Sequence, residues 1–201
     1  MSAAVTAADI TLGLLAGGRG SRLGGVDKAW LQRDGIPQVL RFARRFPGET
    51  GPVLVSANRD LDRHAAAGLT ALSDRLPPGS GPLAGIEAIV AACTTAWLLT
   101  LPVDLFDVND CLVRSLLAGR SETGAFAEDD DGPQPLVALY RCDALRAALP
   151  GAIAANDLAP RGLQSVLGLA RIRLPGVRFG NLNTIQDLVT ARIPLPASDT
   201  P

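Results

Sequence analysis

The 201-residue chain carries 47% hydrophobic and 19% charged side chains, the mixture of a globular domain with one full core. Its 19 Lys and Arg against 20 Asp and Glu give a net charge of −1, with no basic excess to draw it to nucleic acid or an anionic membrane. A lone histidine, His64, excludes paired-His metal centres and leaves little room for a Ser–His–Asp triad. Three separated cysteines, Cys93, Cys111 and Cys142, lack metal spacing and are odd in number, which argues against a disulfide framework and for a reducing cytoplasm.

Residues 1–9 read as a loose leader without the basic start of a signal peptide. No apolar run approaches membrane-spanning length. Residues 10–15 read as a short buried strand, and it runs straight into Ala16-Gly17-Gly18-Arg19-Gly20-Ser21-Arg22-Leu23-Gly24-Gly25-Val26-Asp27-Lys28. Such a loop turns backbone N–H groups toward an anion, and its glycines let that anion come close. Arg19, Arg22 and Lys28 add positive charge, so a polyphosphate is the expected ligand. Neither familiar phosphate motif fits. Val26 follows Gly25 where a Walker loop needs Lys, and Leu23 stands where a dinucleotide fingerprint needs Gly.

Asp34-Gly35 is a turn into a helix with Pro37 near its start, and Val39, Leu40, Phe42, Ala43 and Phe46 carry the helical spacing. A second strand at 52–57 leads into Asn58-Arg59. A short helix at 61–67 places His64 on the surface, and a third strand at 70–73 ends at Asp74. The breaker cluster 77–82 opens a helix over 83–92. Residues 96–101 form the most apolar strand, ending in Pro102-Val103-Asp104. Asn109 or Asp110 caps a helix through Leu117. Two strands then flank an acidic, solvated turn at 128–133. A helix at 143–149, a partly helical stretch at 158–167, an edge strand at 171–174 and a last helix at 185–191 capped by Thr184 complete the chain. The cysteines serve packing. Strands alternating with helices indicate an α/β fold in one domain over 1–201, with 1–9 and 194–201 as loose termini.

In open α/β sheets, ligands sit outside the carboxyl ends of the strands. Residues 15–18, Asn58, Asp74 and Asp104 all fall at such ends. Asp104, a carboxylate at the end of the most apolar strand, is a hard oxygen ligand suited to Mg²⁺ bound with phosphate oxygens. Lys28, closing the loop, is placed to neutralise phosphate charge.

The string from Leu15 to Lys28 resembles the signature of the nucleotidyltransferases, and its Gly24-Gly25-Val26-Asp27-Lys28 ending is most similar to the molybdenum cofactor guanylyltransferases. Val55-Ser56-Ala57-Asn58-Arg59, Leu72-Ser73-Asp74, Gly81-Pro82-Leu83-Ala84-Gly85, Leu101-Pro102-Val103-Asp104 and Asn181-Leu182-Asn183-Thr184 follow in the family's order. The resemblance implies a three-layer Rossmann-like nucleotidyltransferase fold with a mainly parallel central sheet. It implies that Leu15, Ala16 and Gly17 hold the base, that Gly18 and Gly20 wrap the triphosphate, and that Asn58 and Asp74 contact the nucleotide. Lys28, Asp104 and Arg22 become the catalytic set, with Mg²⁺ on Asp104 and with Asn181 and Asn183 as acceptor or second-metal candidates. The implied reaction moves GMP from GTP to the terminal phosphate of molybdopterin and releases pyrophosphate. The implied partners are GTP, the molybdopterin cofactor, and molybdoenzymes or other cofactor-biosynthesis proteins. Rival readings are a cytidylyltransferase on the same cofactor, transfer to another phosphorylated small molecule, and a nucleotide-binding cofactor carrier without turnover.

Overall fold

The computed structural model describes residues 4–18 and 26–194. Residues 4–9 are more ordered than a loose leader. Ala7–Asp9 form one 3-10 turn, and Asp9 Oδ2 accepts from both Thr6 N (2.8 Å) and Thr6 Oγ1 (2.7 Å). The chain then enters β1 (Ile10–Leu15). After a 3-10 turn at Lys28–Trp30 come β2 (Gln32–Arg33) and β3 (Ile36–Pro37), which pair antiparallel across Asp34-Gly35. That pairing draws Pro37 out of the helix, so α1 (Gln38–Ala43) starts one residue later and Pro37 is its N-cap.

Next come β4 (Val53–Ser56), α2 (Leu61–Ala66), β5 (Thr70–Leu72), α3 (Pro82–Ala92) and β6 (Trp97–Pro102). They are followed by α4 (Leu112–Gly119), β7 (Gly124–Asp129), β8 (Gly132–Arg141) and α5 (Cys142–Ala154). The chain closes with α6 (Pro160–Leu167), β9 (Ala170–Arg173) and α7 (Ile185–Thr190). Helix α5 passes Pro150, where the sequence suggested a stop. Packing of Ala152 and Ile153 on the same core as Leu145 and Leu149 continues the helix beyond the missing N–H.

The main sheet has seven strands in the order β5-β4-β1-β6-β8-β7-β9. Strands β4 and β6 run parallel to β1, β5 parallel to β4, and β9 parallel to β7; β8 alone is antiparallel to its neighbours. Alternation along the strands feeds both faces. Ile10, Leu12 and Leu14 of β1, with Leu99 and Leu101 of β6, pack under α1 and α4. Leu98, Ala138 and Tyr140 pack under α3, α5 and α6. The result is the expected three-layer α/β architecture. Gly13 lets α3 approach: a Cβ there would meet Leu98 Cδ1 at 2.8 Å and Ile89 Cγ2 at 3.2 Å.

Two surface expectations are corrected. His64 is buried, because its ring packs on Trp30 with centroids 4.9 Å apart while Arg63 covers the other ring at 4.1 Å. The acidic turn shrinks to Asp130-Asp131, since the two strands extend toward each other. Asp129 is buried there and accepts from Phe179 N (2.9 Å), Gln134 Nε2 (3.0 Å) and Asp131 N (3.0 Å), while Glu128 pairs with Arg171. Cys93 and Cys142, distant in sequence, pack with sulfurs 3.5 Å apart in the core, and Cys111 is exposed. Among the described residues, no helix is long and apolar enough to cross a membrane.

Candidate active site

The carboxyl ends of β5, β4, β1 and β6 share one edge of the sheet, and a cleft of about 1020 Å³ opens there. The chain beyond each strand stays zipped to its neighbour. Ala16 N donates to Ser56 O (2.8 Å), Ala57 N to Leu72 O (2.9 Å) and Val103 N to Leu15 O (3.2 Å). The floor of the cleft is therefore backbone held on both sides, a rigid base for the side chains it carries.

On the β4 and β5 side, Asn58 and Asp74 bind each other reciprocally. Asn58 Nδ2 donates to Asp74 Oδ2 (2.7 Å), and Asp74 N donates to Asn58 Oδ1 (2.9 Å). Ser56 Oγ donates to the other carboxylate oxygen at 3.2 Å. Gly17 packs beside this pair, where a Cβ would sit in ordinary contact with Asn58 Nδ2, at 3.4 Å. The same edge receives the loop before α3, where Gly79 and Gly81 have φ of +96° and +67°, a region that favours glycine.

On the β6 side, Lys28 reaches across. Its 3-10 turn is capped by Asp27, whose Oδ1 accepts from Ala29 N (2.9 Å), and is anchored by the fully buried Ala29. The ammonium then donates to Asp104 Oδ2 at 3.0 Å and to Asn183 Oδ1 at 2.5 Å. Asn183 arrives from the far end of the sequence. Leu182 N donates to Asp104 O (2.7 Å) and Asn181 bridges Leu105, which ties the C-terminal segment to the strand end. Thr184 and Asp187 form a capping box that fixes the turn just after Asn183, and Asn183 N itself donates to Asp187 Oδ2 (2.9 Å). Burial pushes the Asp187 carboxyl up, but the Thr184 and Asn183 donors and the Lys28 charge outweigh it and hold the group below its ordinary range.

Of the residues singled out from sequence, Leu15, Ala16, Gly17, Gly18, Lys28, Asn58, Asp74, Asp104 and Asn183 all line this cleft. Asn181 does not; the bridge to Leu105 uses it as a backbone staple and leaves its side chain exposed. Gly20 and Arg22 lie outside the described residues. Sequence reasoning gave no role to Ser56, although it ends β4 two residues before Asn58 and so shares its phase.

Asp104 and Asn183 turn two oxygens toward one point, and a cation, the Lys28 ammonium, already sits there. No cluster of three or more His, Cys, Asp or Glu exists among the described residues, which excludes an all-protein metal cage there. One carboxylate plus amide, phosphate and water oxygens is the donor set Mg²⁺ favours, and these residues fit it. A second hollow of about 570 Å³ beside α1 is rich in arginine, and several of these cations hold structure: Arg33 donates to Phe106 O (2.8 Å), Arg45 to Val108 O (3.1 Å), and Arg41 and Arg114 pair with Asp34 and Glu49.

Comparison with known proteins agrees with this geometry. Residues 13–171 match the MobA-like NTP transferase domain. The molybdenum cofactor guanylyltransferase of Cupriavidus metallidurans is 32% identical over 189 residues, 90% of this chain and 93% of that protein. The protein of the same name from Pseudomonas aeruginosa is 35% identical over 184 residues, 89% of this chain and 92% of its own. Among solved structures, molybdopterin-guanine dinucleotide biosynthesis protein A from Archaeoglobus fulgidus has the same fold, with a TM-score of 0.66 at 21% identity over 90% of this chain and 96% of that one. The 2-C-methyl-D-erythritol 4-phosphate cytidylyltransferase of Thermus thermophilus shares it at a TM-score of 0.61, 21% identity, 89% of this chain and 95% of that one. With the family match spanning most of its length, and with its cleft at the carboxyl edge of a mainly parallel sheet, this chain belongs to the MobA-like NTP transferase family.

Proposed function

We propose that the protein transfers GMP from GTP to the terminal phosphate of molybdopterin, forming the guanine dinucleotide cofactor and releasing pyrophosphate. The reading draws its substrate from the names of the relatives that match almost end to end. The observation that carries it is the meeting of Lys28, Asp104 and Asn183 in the cleft that residues 15–18 also line, where they would face the phosphates of a bound nucleotide.

An oxygen of the acceptor phosphate attacks the α-phosphorus of GTP, a new P–O–P bond forms, and the bond to the β-phosphate breaks. The attacking group is already an anion, so no strong general base is required, which suits a chain whose one histidine is buried away from the cleft. Lys28 then leaves its resting partners for the phosphate oxygens and neutralises charge as it spreads toward pyrophosphate. Asp104, with Asn183 beside it, would hold Mg²⁺, which when bound supplies further charge neutralisation to the triphosphate. The backbone of residues 15–18 aligns the nucleotide, and alignment itself lowers the barrier. Gly20 and Arg22 extend the same phosphate cradle in this proposal. The site of action is a reducing cytoplasm, in keeping with three free cysteines.

The test is turnover by the purified protein with Mg²⁺, molybdopterin and each nucleotide, following pyrophosphate and the mass of the pterin product. A mass gain of one GMP, dependent on both substrates, is the expected result. Faster turnover with CTP would assign the chain to cytidylyl transfer instead.

A further inference from the structure

Asp129 ends β7, two strands away from β6, and is 2% exposed. The alternation of β7 explains why it points inward. Ala125 and Ala127 precede it on the same face, the one that packs with Phe179 in the core under α1 and α4. A carboxylate in such a place is kept by hydrogen bonds. Its Oδ1 accepts from Gln134 Nε2 and from Asp131 N, both at 3.0 Å, which closes the turn between β7 and β8 on itself. Its Oδ2 reaches outside that turn and accepts from Phe179 N at 2.9 Å, from a residue 50 positions further along the chain.

The bond to Phe179 is the first rung of a ladder that ends in the cleft. Phe179 O accepts from Phe106 N and Asp107 N, both at 3.0 Å. Gly180 follows with φ of +60°, and a Cβ there would lie 3.3 Å from Phe106 Cβ, so the two segments run in close contact. Asn181 then bridges Leu105 antiparallel, and Leu182 N donates to Asp104 O at 2.7 Å. Residues 104–107 and 179–183 thus form one clip. Phe179 is at its outer end. At its inner end the Asp104 carboxylate and the Asn183 amide meet on the Lys28 ammonium. The capping box of α7 fixes the clip just beyond Asn183, and Asp129 fixes it at Phe179. We infer that Asp129 is a positioning residue for the Asp104 and Asn183 pair: by holding Phe179 N it sets the register of the clip, and with it the spacing of two oxygens that would face phosphate and Mg²⁺. What those oxygens do rests on the guanylyl-transfer reading above. Without the carboxylate, a buried N–H loses its acceptor, and the segment gains by shifting to find another.

Asp129→Ala tests this, read by amide hydrogen exchange and by pyrophosphate release with GTP, molybdopterin and Mg²⁺. Exchange at Phe106, Asp107 and Leu182 is expected to quicken at least about tenfold more than exchange in β1 and β4. Turnover is expected to fall about tenfold in kcat with KM for GTP within about twofold, because Asn58 and Asp74 keep their own bonds on the other side of the cleft. Gln134→Ala removes a donor from Oδ1 and leaves the Phe179 bond in place, so its kcat is expected to stay within about twofold of the unaltered protein. Equal quickening throughout the sheet, an unchanged kcat in Asp129→Ala, or the same fall in Gln134→Ala would each reduce Asp129 to a structural group. Should Asp129→Ala fail to fold, the unaltered protein still decides. The amides of Phe179, Phe106, Asp107 and Leu182 are expected to open as one unit at a common rate, and separate rates would overturn the clip. An unaltered protein that releases no pyrophosphate from GTP overturns the guanylyl reading, while the exchange measurements, which need no substrate, still judge the hold of Asp129 on the pair.

Discussion

At the scale of single residues, Lys28 and Asp104 hold each other until substrate arrives, and the magnitudes say what that contact is for. The pair is partly exposed, with side chains at 16% and 27%, so it contributes no more than about 1 kcal/mol to stability. In the proposed reaction its value lies in placing a cation and a carboxylate opposite the triphosphate. Asp104→Ala is therefore expected to abolish turnover and leave the circular dichroism spectrum and the unfolding midpoint nearly unchanged, because the Asp104 backbone, not its side chain, holds Leu182. Wild-type turnover at limiting Mg²⁺ in that variant would remove Asp104 from the metal site. Lys28→Ala is expected to lower kcat/KM by at least about tenfold, a loss of roughly 1.4 kcal/mol of transition-state stabilisation, with pyrophosphate release as the readout. If the variant lost stability and kept its rate, Lys28 would be a structural cation and nothing more.

At the scale of elements, the C-terminal segment is the piece that completes the site, and its hold is local. Thr184 Oγ1 accepts from Asp187 N (3.2 Å), and the Asp187 carboxylate collects the N–H groups of Asn183 and Thr184. Thr184→Ala should cost about 1 kcal/mol, the usual loss of an N-cap. Faster hydrogen exchange should be confined to α7 and its approach, together with a fall in kcat as Asn183 is released. Uniform loosening of the sheet would show that the cap does not act locally. The elements that frame this site were legible in sequence because each carries its own signal: apolar strands, breakers between them, and polar residues at their ends. What was not legible depends on distant partners. Nothing near His64 in sequence shows that Trp30 will cover it. Asn181 and Asn183 look equivalent until the bridge to Leu105 turns one into a staple while the other accepts from the Lys28 ammonium in the cleft. Ser56 reads as an ordinary strand residue until Gly85 leaves its hydroxyl room. Pro37 and Pro150 misled for a related reason, since pairing in one case and core packing in the other overrode local preference.

At the scale of the whole molecule, a net charge of −1 means that no large collective repulsion governs stability near neutral pH. Individual buried groups then stand out, and His64 is the clearest. Its ring is fully buried, and neither ring nitrogen has a hydrogen-bond partner among the described residues. Burial lowers its pKa below the ordinary 6.5; Asp27 and Asp60 pull it up and Arg63 pushes it down, with burial the largest influence. The folded state therefore binds this proton less readily than the unfolded chain. Above 6.5 both states are neutral and the full stability is present. As pH falls through and below that value, the unfolded chain takes up a proton that the folded state refuses, and stability declines until the lowered folded pKa is passed. The carboxylates of Asp9, Asp143 and Asp187 are also lowered, from an ordinary 3.8, so their loss falls in a separate, more acidic window. Urea unfolding followed from pH 7.5 down to 5 should thus show a decline that His64→Phe, which keeps a ring against Trp30, removes. A decline of the same slope in that variant would assign the acid sensitivity to another group. Because Trp30 belongs to the 3-10 turn that presents Lys28, the same protonation should weaken nucleotide binding before the protein unfolds, and titrating GTP across that pH range would reveal the order of the two events.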